Sequence, residues 1–396
     1  MPNEHEHSAS DNPRKREKRR SRKSRSSNQK RSDHDGSTTC ARAERPAFAR
    51  QEPLSIPGDL YEHCAYGDWT ECQAYSFPEP PVPNSIKLLT WNVWTSSYEH
   101  KPAQTTAILD LLSSARVDLV SLQEVSQDFE ESLREQPWIE AEWALTRLED
   151  YWYAAGRDGQ GRGKKIAKRE GVILMVKRER LARGFNLEFI RLGRADNEQA
   201  KAAIVLTLLE KNRPQLRVVT SHYSSLPHND KLRRMQYSTS LALLRAAPAA
   251  AHCVLLGDFN SSSNDEFDLF SPTLRDVAPG LPKSQLSGLN RTQRSEAIFR
   301  SRATFGELYP LVTPTSYPRK PRRIDRIYVS KHTRSSQYSH MGDEPIVGGK
   351  DRLGKGGKSF PSDHLAVRVQ IDLSVPLKSQ GTVLFHLPTW ACKSPA

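Results

Sequence analysis

Polar residues suited to phosphate chemistry recur at the ends of apolar runs between Thr90 and His364. Asn92 closes Thr90-Trp91-Asn92, Glu124 lies in Gln123-Glu124-Val125, and His222 ends Ser221-His222. Asp258 and Asn260 frame Gly257-Asp258-Phe259-Asn260, Asp325 sits in Arg323-Ile324-Asp325-Arg326, and Ser362-Asp363-His364 precedes the last apolar run. Hydrolysis of a phosphodiester needs a divalent ion to neutralise phosphate charge, a group that orients or deprotonates water, and donors for the developing oxyanion. Each residue alone has a plainer reading: Glu124 as a solvated strand-end carboxylate, Asn92 as a turn cap, Asp258 and Asn260 as a loop opener. Their common placement at strand ends argues for one shared site.

Individual roles follow from side-chain chemistry. Mg²⁺, or Mn²⁺ in its place, takes oxygen ligands and is held by one or two carboxylates plus substrate phosphate. Glu124 suits that role, because a bare carboxylate beside a buried strand is costly unless paired or metal-bound. The Asn92 amide can orient phosphate. Asp258 and Asn260, two residues apart, are expected to point the same way, offering a base and an amide donor. His222 is a donor to phosphate. Asp325, embedded in an apolar strand, is expected to accept a hydrogen bond from His364 and hold its ring, as carboxylates do in hydrolytic triads.

The elements that must position these groups are legible as short runs. Ile86–Trp91, Val117–Leu122, Gly171–Val176, Ala203–Leu209, Leu216–Thr220, Cys253–Leu256, Ile324–Val329 and Leu365–Ile371 read as strands, and Thr105–Ala115 and Lys231–Arg245 as helices. Several strands follow one another without a helix between them. That pattern implies an α/β (α+β) fold with two mixed β-sheets packed face to face and helices outside.

The chain has 396 residues and a net charge of +13, but the stretch Arg14–Arg31 alone holds eleven Lys or Arg against Glu17. The remainder is therefore close to neutral, and its charge does not by itself mark a nucleic-acid binder. Residues 1–52 are expected to be a disordered basic tail that serves as a nuclear localisation signal or nucleic-acid tether, or simply as a solvated tail. Residues 53–84, aromatic and proline-rich, read as a linker, 85–373 as the catalytic domain and 374–396 as a C-terminal tail. Gly156–Arg169 and Gly280–Arg302 read as basic loops that either line a substrate groove or are solvated. The five cysteines are odd in number and widely spaced, which implies a reduced, intracellular protein. No apolar run is long enough to span a membrane.

The six ordered motifs, from Ser85 to Leu373, resemble those of the endonuclease/exonuclease/phosphatase superfamily, the deoxyribonuclease-like hydrolases. The resemblance implies a four-layer αββα sandwich, a monomer, and in-line attack of water on a phosphodiester assisted by Mg²⁺. By matching motif it makes Glu124 the metal ligand with Asp363 near the ion. It makes Asn92 and Asn260 phosphate-side groups, Asp258 the activator of water, and His222 and His364 phosphate contacts with Asp325 supporting His364. Thr220-Ser221-His222-Tyr223-Ser224-Ser225, followed by Arg233 and Gln236, is similar to the 5′-tyrosyl-DNA phosphodiesterase branch and adds Ser225 as a substrate contact. The sequence departs from that branch at Ser224 in place of a glutamate, at Ser261–Ser263 in place of Leu-Arg-Asp, and at Tyr317 in place of a tryptophan. The implied partner is DNA, with RNA as the alternative nucleic acid, and the implied location is the nucleus or cytoplasm. Other superfamily substrates (abasic DNA, RNA tails, phosphoinositides, sphingomyelin) and a non-catalytic nucleic-acid scaffold are the competing expectations.

Overall fold

The computed structural model describes residues 55–63, 69–72, 84–95, 102–156, 170–193, 201–247, 251–261, 269–279, parts of 283–305, 322–346 and 359–374. The basic stretch 1–52, residues 157–169, Ser262, Ser263, Tyr317 and the segment after Ser374 lie outside these residues.

Among the described residues, fifteen strands form two mixed sheets. The first has seven strands: β1 (Ser55–Pro57), β8 (Phe185–Leu192), β9 (Lys201–Glu210), β10 (Arg213–His222), β11 (His252–Asp258), β13 (Asp325–Ser330) and β12 (Leu274–Asp276), in that spatial order. The second has eight: β14 (Arg334–Met341), β15 (Ala366–Asp372), β4 (Ser85–Asn92), β5 (Leu119–Val125), β7 (Gly171–Lys177), β6 (Trp143–Leu145), β2 (Tyr61–His63) and β3 (Trp69–Glu71). Each sheet has one parallel pair, β10 with β11 and β4 with β5, and the other registers are antiparallel. Parallel neighbours need a crossover. Helix α1 (Pro102–Ser114) supplies it in the second sheet, and the longer Asp230–Arg245 helix supplies it in the first.

The layers follow from the period of two along each strand. Ile86, Leu88, Leu119, Val218, Leu216, Val254, Leu256 and Ile327 fill the dry space between the sheets. Their neighbours Leu89, Trp91, Val120 and Leu122 face outward onto α1 and onto α2 (Gln127–Arg134) and α3 (Pro137–Glu142) through Ile108, Leu112, Phe129 and Ile139. On the other side Val219 and Leu255 meet Tyr237, Leu241 and Leu244 of the Asp230–Arg245 helix. α4 (Leu148–Ala154) packs at the edge, with Tyr151 and Ala154 in the central core; the long Asp230–Arg245 helix is α5. The expected αββα order of layers is present.

One expectation is corrected. The segment 53–84, read as a linker, supplies three short strands: β1 pairs with β8, β2 with β6 and β3 with β2. Leu60 is fully buried, and Tyr61 lies under the Arg147 guanidinium at 3.5 Å from its ring centroid. Three-residue strands carry too little alternation to be read from sequence, and it is the unpaired sheet edges that recruit them.

Candidate active site

The rows of side chains that fill the core change character at one end of the sandwich. On the inner face Ile86 and Leu88 give way to Thr90 and Asn92, Leu119 to Ser121 and Gln123, and Leu216 and Val218 to Thr220 and His222. Val254 and Leu256 likewise lead to Asp258, and Val329 and Ile327 lead back to Asp325. A hydroxyl layer comes first, with Ser121 Oγ 2.5 Å from Thr220 Oγ1 across the two sheets and Gln123 Nε2 donating to Ser121 Oγ (2.7 Å) and Thr90 Oγ1 (3.1 Å). The charged layer sits beyond it. Both parallel pairs end here, so strands from both sheets deliver their last side chains to one place.

Glu124 reaches the site by breaking the period. Alternation would put Gln123 inside and Glu124 outside. Instead Glu124 adopts φ 54° at a register shift between Gln123 and Val125, a bulge that turns its carboxylate inward. Asn92 Nδ2 then donates to Glu124 Oε1 (2.9 Å) and to Asp258 Oδ2 (3.0 Å), tying the two sheets together. Gly257 is required beside Asp258: its φ is 137°, and a Cβ there would lie 2.1 Å from the Ser221 carbonyl oxygen.

His222 stands between the carboxylates. Its Nε2 is 3.7 Å from Glu124 and 3.6 Å from Asp258, and its Nδ1 is 3.4 Å from Lys201 Nζ and 3.9 Å from Glu170. Lys201 in turn bridges to Glu170 at 3.2 Å. The turn after His222 is clamped by α5. Arg233 donates to the carbonyls of Ser224 (2.9 Å) and Leu226 (3.0 Å), while the Gln236 carbonyl accepts from Ser224 N and its amide donates to Ser224 Oγ. The Arg-x-x-Gln spacing is thus the device that fixes the His222 loop, and the buried Ser224 is part of it.

The second histidine is held tightly. His364 Nδ1 lies 2.8 Å from Asp325 Oδ2, Asp325 is fully buried, and the His364 ring meets Phe305 at 4.7 Å between centroids. Thr304 Oγ1 accepts from Asp325 N, Trp91 Nε1 donates to the His364 carbonyl (3.0 Å), and Ser362 Oγ donates to the Asn92 carbonyl (2.7 Å). The serine of Ser-Asp-His therefore locks this turn to β4. Truncating Trp91 to Ala would cost about 3–5 kcal/mol and loosen the same turn.

Electrostatics match this crowding. Burial, then the charges of Glu170 and Asp363, push the Glu124 carboxyl up to about 8; burial and Asp325 push Asp258 up to about 7. Burial alone would discharge His364, but Asp325, Asp363 and Asp258 outweigh it and push the ring up to about 10. Surplus negative charge around Glu124, with one ligand atom each from Glu124, His222 and Asp258 within 4.8 Å of one another, fits a divalent cation.

Asn92, Glu124, His222, Asp258, Asp325, Asp363 and His364 are thus brought together. Asp363 lies beside the cluster, its Oδ1 3.9 Å from His364 Nε2, whereas the close set around Glu124 is His222 and Asp258. Asn260 differs from expectation. It takes φ 53° instead of continuing the strand, so its amide donates to the Tyr223 carbonyl (2.9 Å) while its backbone N–H donates to Asp258 Oδ1 (2.8 Å). Ser225 is exposed on the turn, with no described hydrogen bond to the cluster. Glu170, Lys201, Thr304 and Phe305 were not singled out from sequence. The only signal for Glu170 was a carboxylate directly before the strand-opening Gly171, at the end of a basic loop.

The profile of the Endonuclease/Exonuclease/phosphatase family matches residues 89–364. No curated protein sequence matches the chain. Among solved structures the chain is similar to a D. rerio TDP2 humanised by 14 mutations (TM-score 0.51, 16% identity, 73% of this chain and 100% of that one). It is similar to D. rerio TDP2 complexed with a single-strand DNA product (TM-score 0.51, 14% identity, the same coverage). TDP2 from C. elegans matches at TM-score 0.51 and 14% identity over 73% of this chain and 75% of that one. At these identities the likeness is one of fold.

Proposed function

Because this chain belongs to the endonuclease/exonuclease/phosphatase family, whose members are metal-dependent phosphoesterases and nucleases, we propose that it hydrolyses phosphodiesters in DNA with Mg²⁺, acting in the nucleus on blocked 5′ ends such as phosphotyrosyl adducts. The observation that carries this reading is the convergence of Asn92, Glu124, His222, Asp258, Asp325 and His364 from both sheets at one end of the sandwich. The DNA assignment draws on the Thr-Ser-His-x-x-Ser motif with its Arg233 and Gln236 clamp, on the basic N-terminal stretch, and on the DNA product bound by a structural neighbour.

Glu124 would hold the cation, with Asp363 and His222 beside it. The ion would supply charge neutralisation at the scissile phosphate. Asp258 is the group placed to take the proton of the attacking water; burial and the Asp325 charge raise its proton affinity above that of an ordinary carboxylate, which favours that transfer. His364 has its Nδ1 committed to Asp325, which leaves Nε2 to donate to a non-bridging phosphate oxygen. Its retained positive charge makes that donor strong. Asn92, bonded to both Glu124 and Asp258, keeps their separation fixed as charge develops.

A 5′-tyrosyl oligonucleotide incubated with Mg²⁺ tests the proposal. Release of tyrosine with a 5′-phosphate end is expected, abolished in Glu124→Gln. Robust turnover of RNA or of a phosphoinositide with inert DNA would reassign the substrate, and equal activity of wild type and Glu124→Gln would remove the metal assignment.

A further inference from the structure

The end of the sandwich opposite the cluster carries a groove of about 470 Å³, and a second hollow of about 180 Å³ shares two of its walls, Lys87 and Arg116. Lys87 stands near the start of β4 and Asn92 at its finish, so the groove lies roughly 17 Å from the catalytic residues at ~3.3 Å per residue. Five cations from different elements line the two hollows: Lys87, Arg116, Lys177, Arg180 and Arg368. Among the described lining residues, two carboxylates join them. Asp118 accepts from Arg180 (2.9 Å), and Glu142 pairs with Lys177 (2.9 Å). Arg368 donates to neutral groups, the Ala115 carbonyl and Ser339 Oγ, each at 3.1 Å. Lys87, Arg116 and Arg368 thus have no carboxylate partner among the described ion pairs.

The turn between α1 and β5 leaves Arg116 exposed. In the same groove Trp138, half-buried, meets Trp143 edge-on at 6.2 Å and 85°, and the Lys177 ammonium sits 5.8 Å from the Trp143 ring centroid. A groove that combines Lys87 and Arg116 with the Trp138 ring suits a nucleotide, the phosphate taking the charge and the base the aromatic surface. An acidic peptide would satisfy the cations alone.

We propose that this groove is a second, non-catalytic binding site for single-stranded nucleic acid, which seats one phosphate on Lys87 and Arg116 and stacks the attached base on Trp138. It stands on its own observations, whatever the catalytic cluster cleaves. The test uses the full chain in chelator, photolabelled with 8-azidoadenosine 5′-monophosphate, with the labelled peptides mapped by mass spectrometry. Label is expected on the α3–β6 peptide. It should fall about tenfold in Lys87→Glu/Arg116→Glu, as for loss of a charge-assisted hydrogen bond, recover in Lys87→Arg/Arg116→Lys, and persist in Glu124→Gln. An octadeoxyadenylate should compete better than the mononucleotide. Unchanged melting temperatures of the variants separate lost binding from lost folding. Label confined to residues 1–52 or to the catalytic strands, or indifferent to the charge reversal, overturns the proposal. Competition by inorganic phosphate as strong as by adenylate removes the stacking half. Stronger competition by an oligoglutamate peptide than by the oligonucleotide assigns the groove to a protein partner instead.

Discussion

The two histidines of the cluster are held in opposite ways. His364 is pinned: one 2.8 Å contact to a fully buried Asp325, a ring contact with Phe305, and a backbone tied to Trp91 and Ser362. His222 is surrounded at longer range by Glu124, Asp258, Glu170 and Lys201, at 3.4–3.9 Å. A short bond in a dry environment fixes orientation and charge before substrate arrives. Looser ion contacts leave a ring whose neighbours can rearrange around an incoming cation and phosphate. The molecule thus has one preset donor and one adaptable one.

The sharpest way to break this contrast is to compare the partner carboxylates. Asp325→Asn is expected to lower kcat by about 10³–10⁴-fold, the scale seen when a histidine loses its orienting carboxylate; steady-state turnover of a phosphodiester measures it. Asp258→Asn should cost about 10²–10⁴-fold through loss of the proton acceptor, with substrate binding retained in a filter assay.

The adaptable side is sharpened by pH. Without metal, burial and the neighbouring carboxylates push the Glu124 carboxyl up to about 8, so below that value protons compete with a cation. Divalent-ion affinity should therefore fall with decreasing pH, by about fiftyfold from pH 8 to 6 for one displaced proton. Isothermal titration with Mg²⁺ or Mn²⁺ decides this, and a flat profile would place the ion elsewhere. Glu170→Gln, acting on the looser histidine, should cost only about tenfold in kcat. Were it as damaging as Asp325→Asn, the distinction between preset and adaptable donors would be gone.

The smallest effect on chemistry is expected at Asp276, which accepts hydrogen bonds from both guanidinium arms of Arg323, beside Asp325. Burial would raise its carboxyl, but Arg323 and Arg326 overcome that and hold it below the ordinary range. A folded pKa below the unfolded value contributes stability that is complete above about pH 4 and lost as pH falls through the folded pKa. Asp276→Asn should thus destabilise by about 2 kcal/mol at neutral pH and less in acid, in denaturant melts across pH, with modest loss of turnover.

Much of this organisation is visible in the residue order. Apolar alternation located eight strands and both crossover helices, and polar residues at run ends located Asn92, His222, Asp258 and His364. β14, reading Arg334-Ser335-Ser336-Gln337-Tyr338-Ser339-His340-Met341, was not found because an exposed edge strand has no buried face to impose a pattern. The helices α2, α3 and α4, each eight residues or fewer, span too few turns to show a period.

Sequence alone determined which chemistry is available: carboxylates, imidazoles and amides at strand ends, in an order that resembles one family. Tertiary structure decided which of them meet. Local alternation would have turned Glu124 away from the pocket, and only the bulge at φ 54° brings it to Asn92. Glu170 and Lys201, distant in sequence from His222, join it because β7 opens and β9 begins at the same end of the sandwich. Periodicity is a property of neighbours along the chain; convergence depends on sheet pairing and packing, which neighbours do not encode.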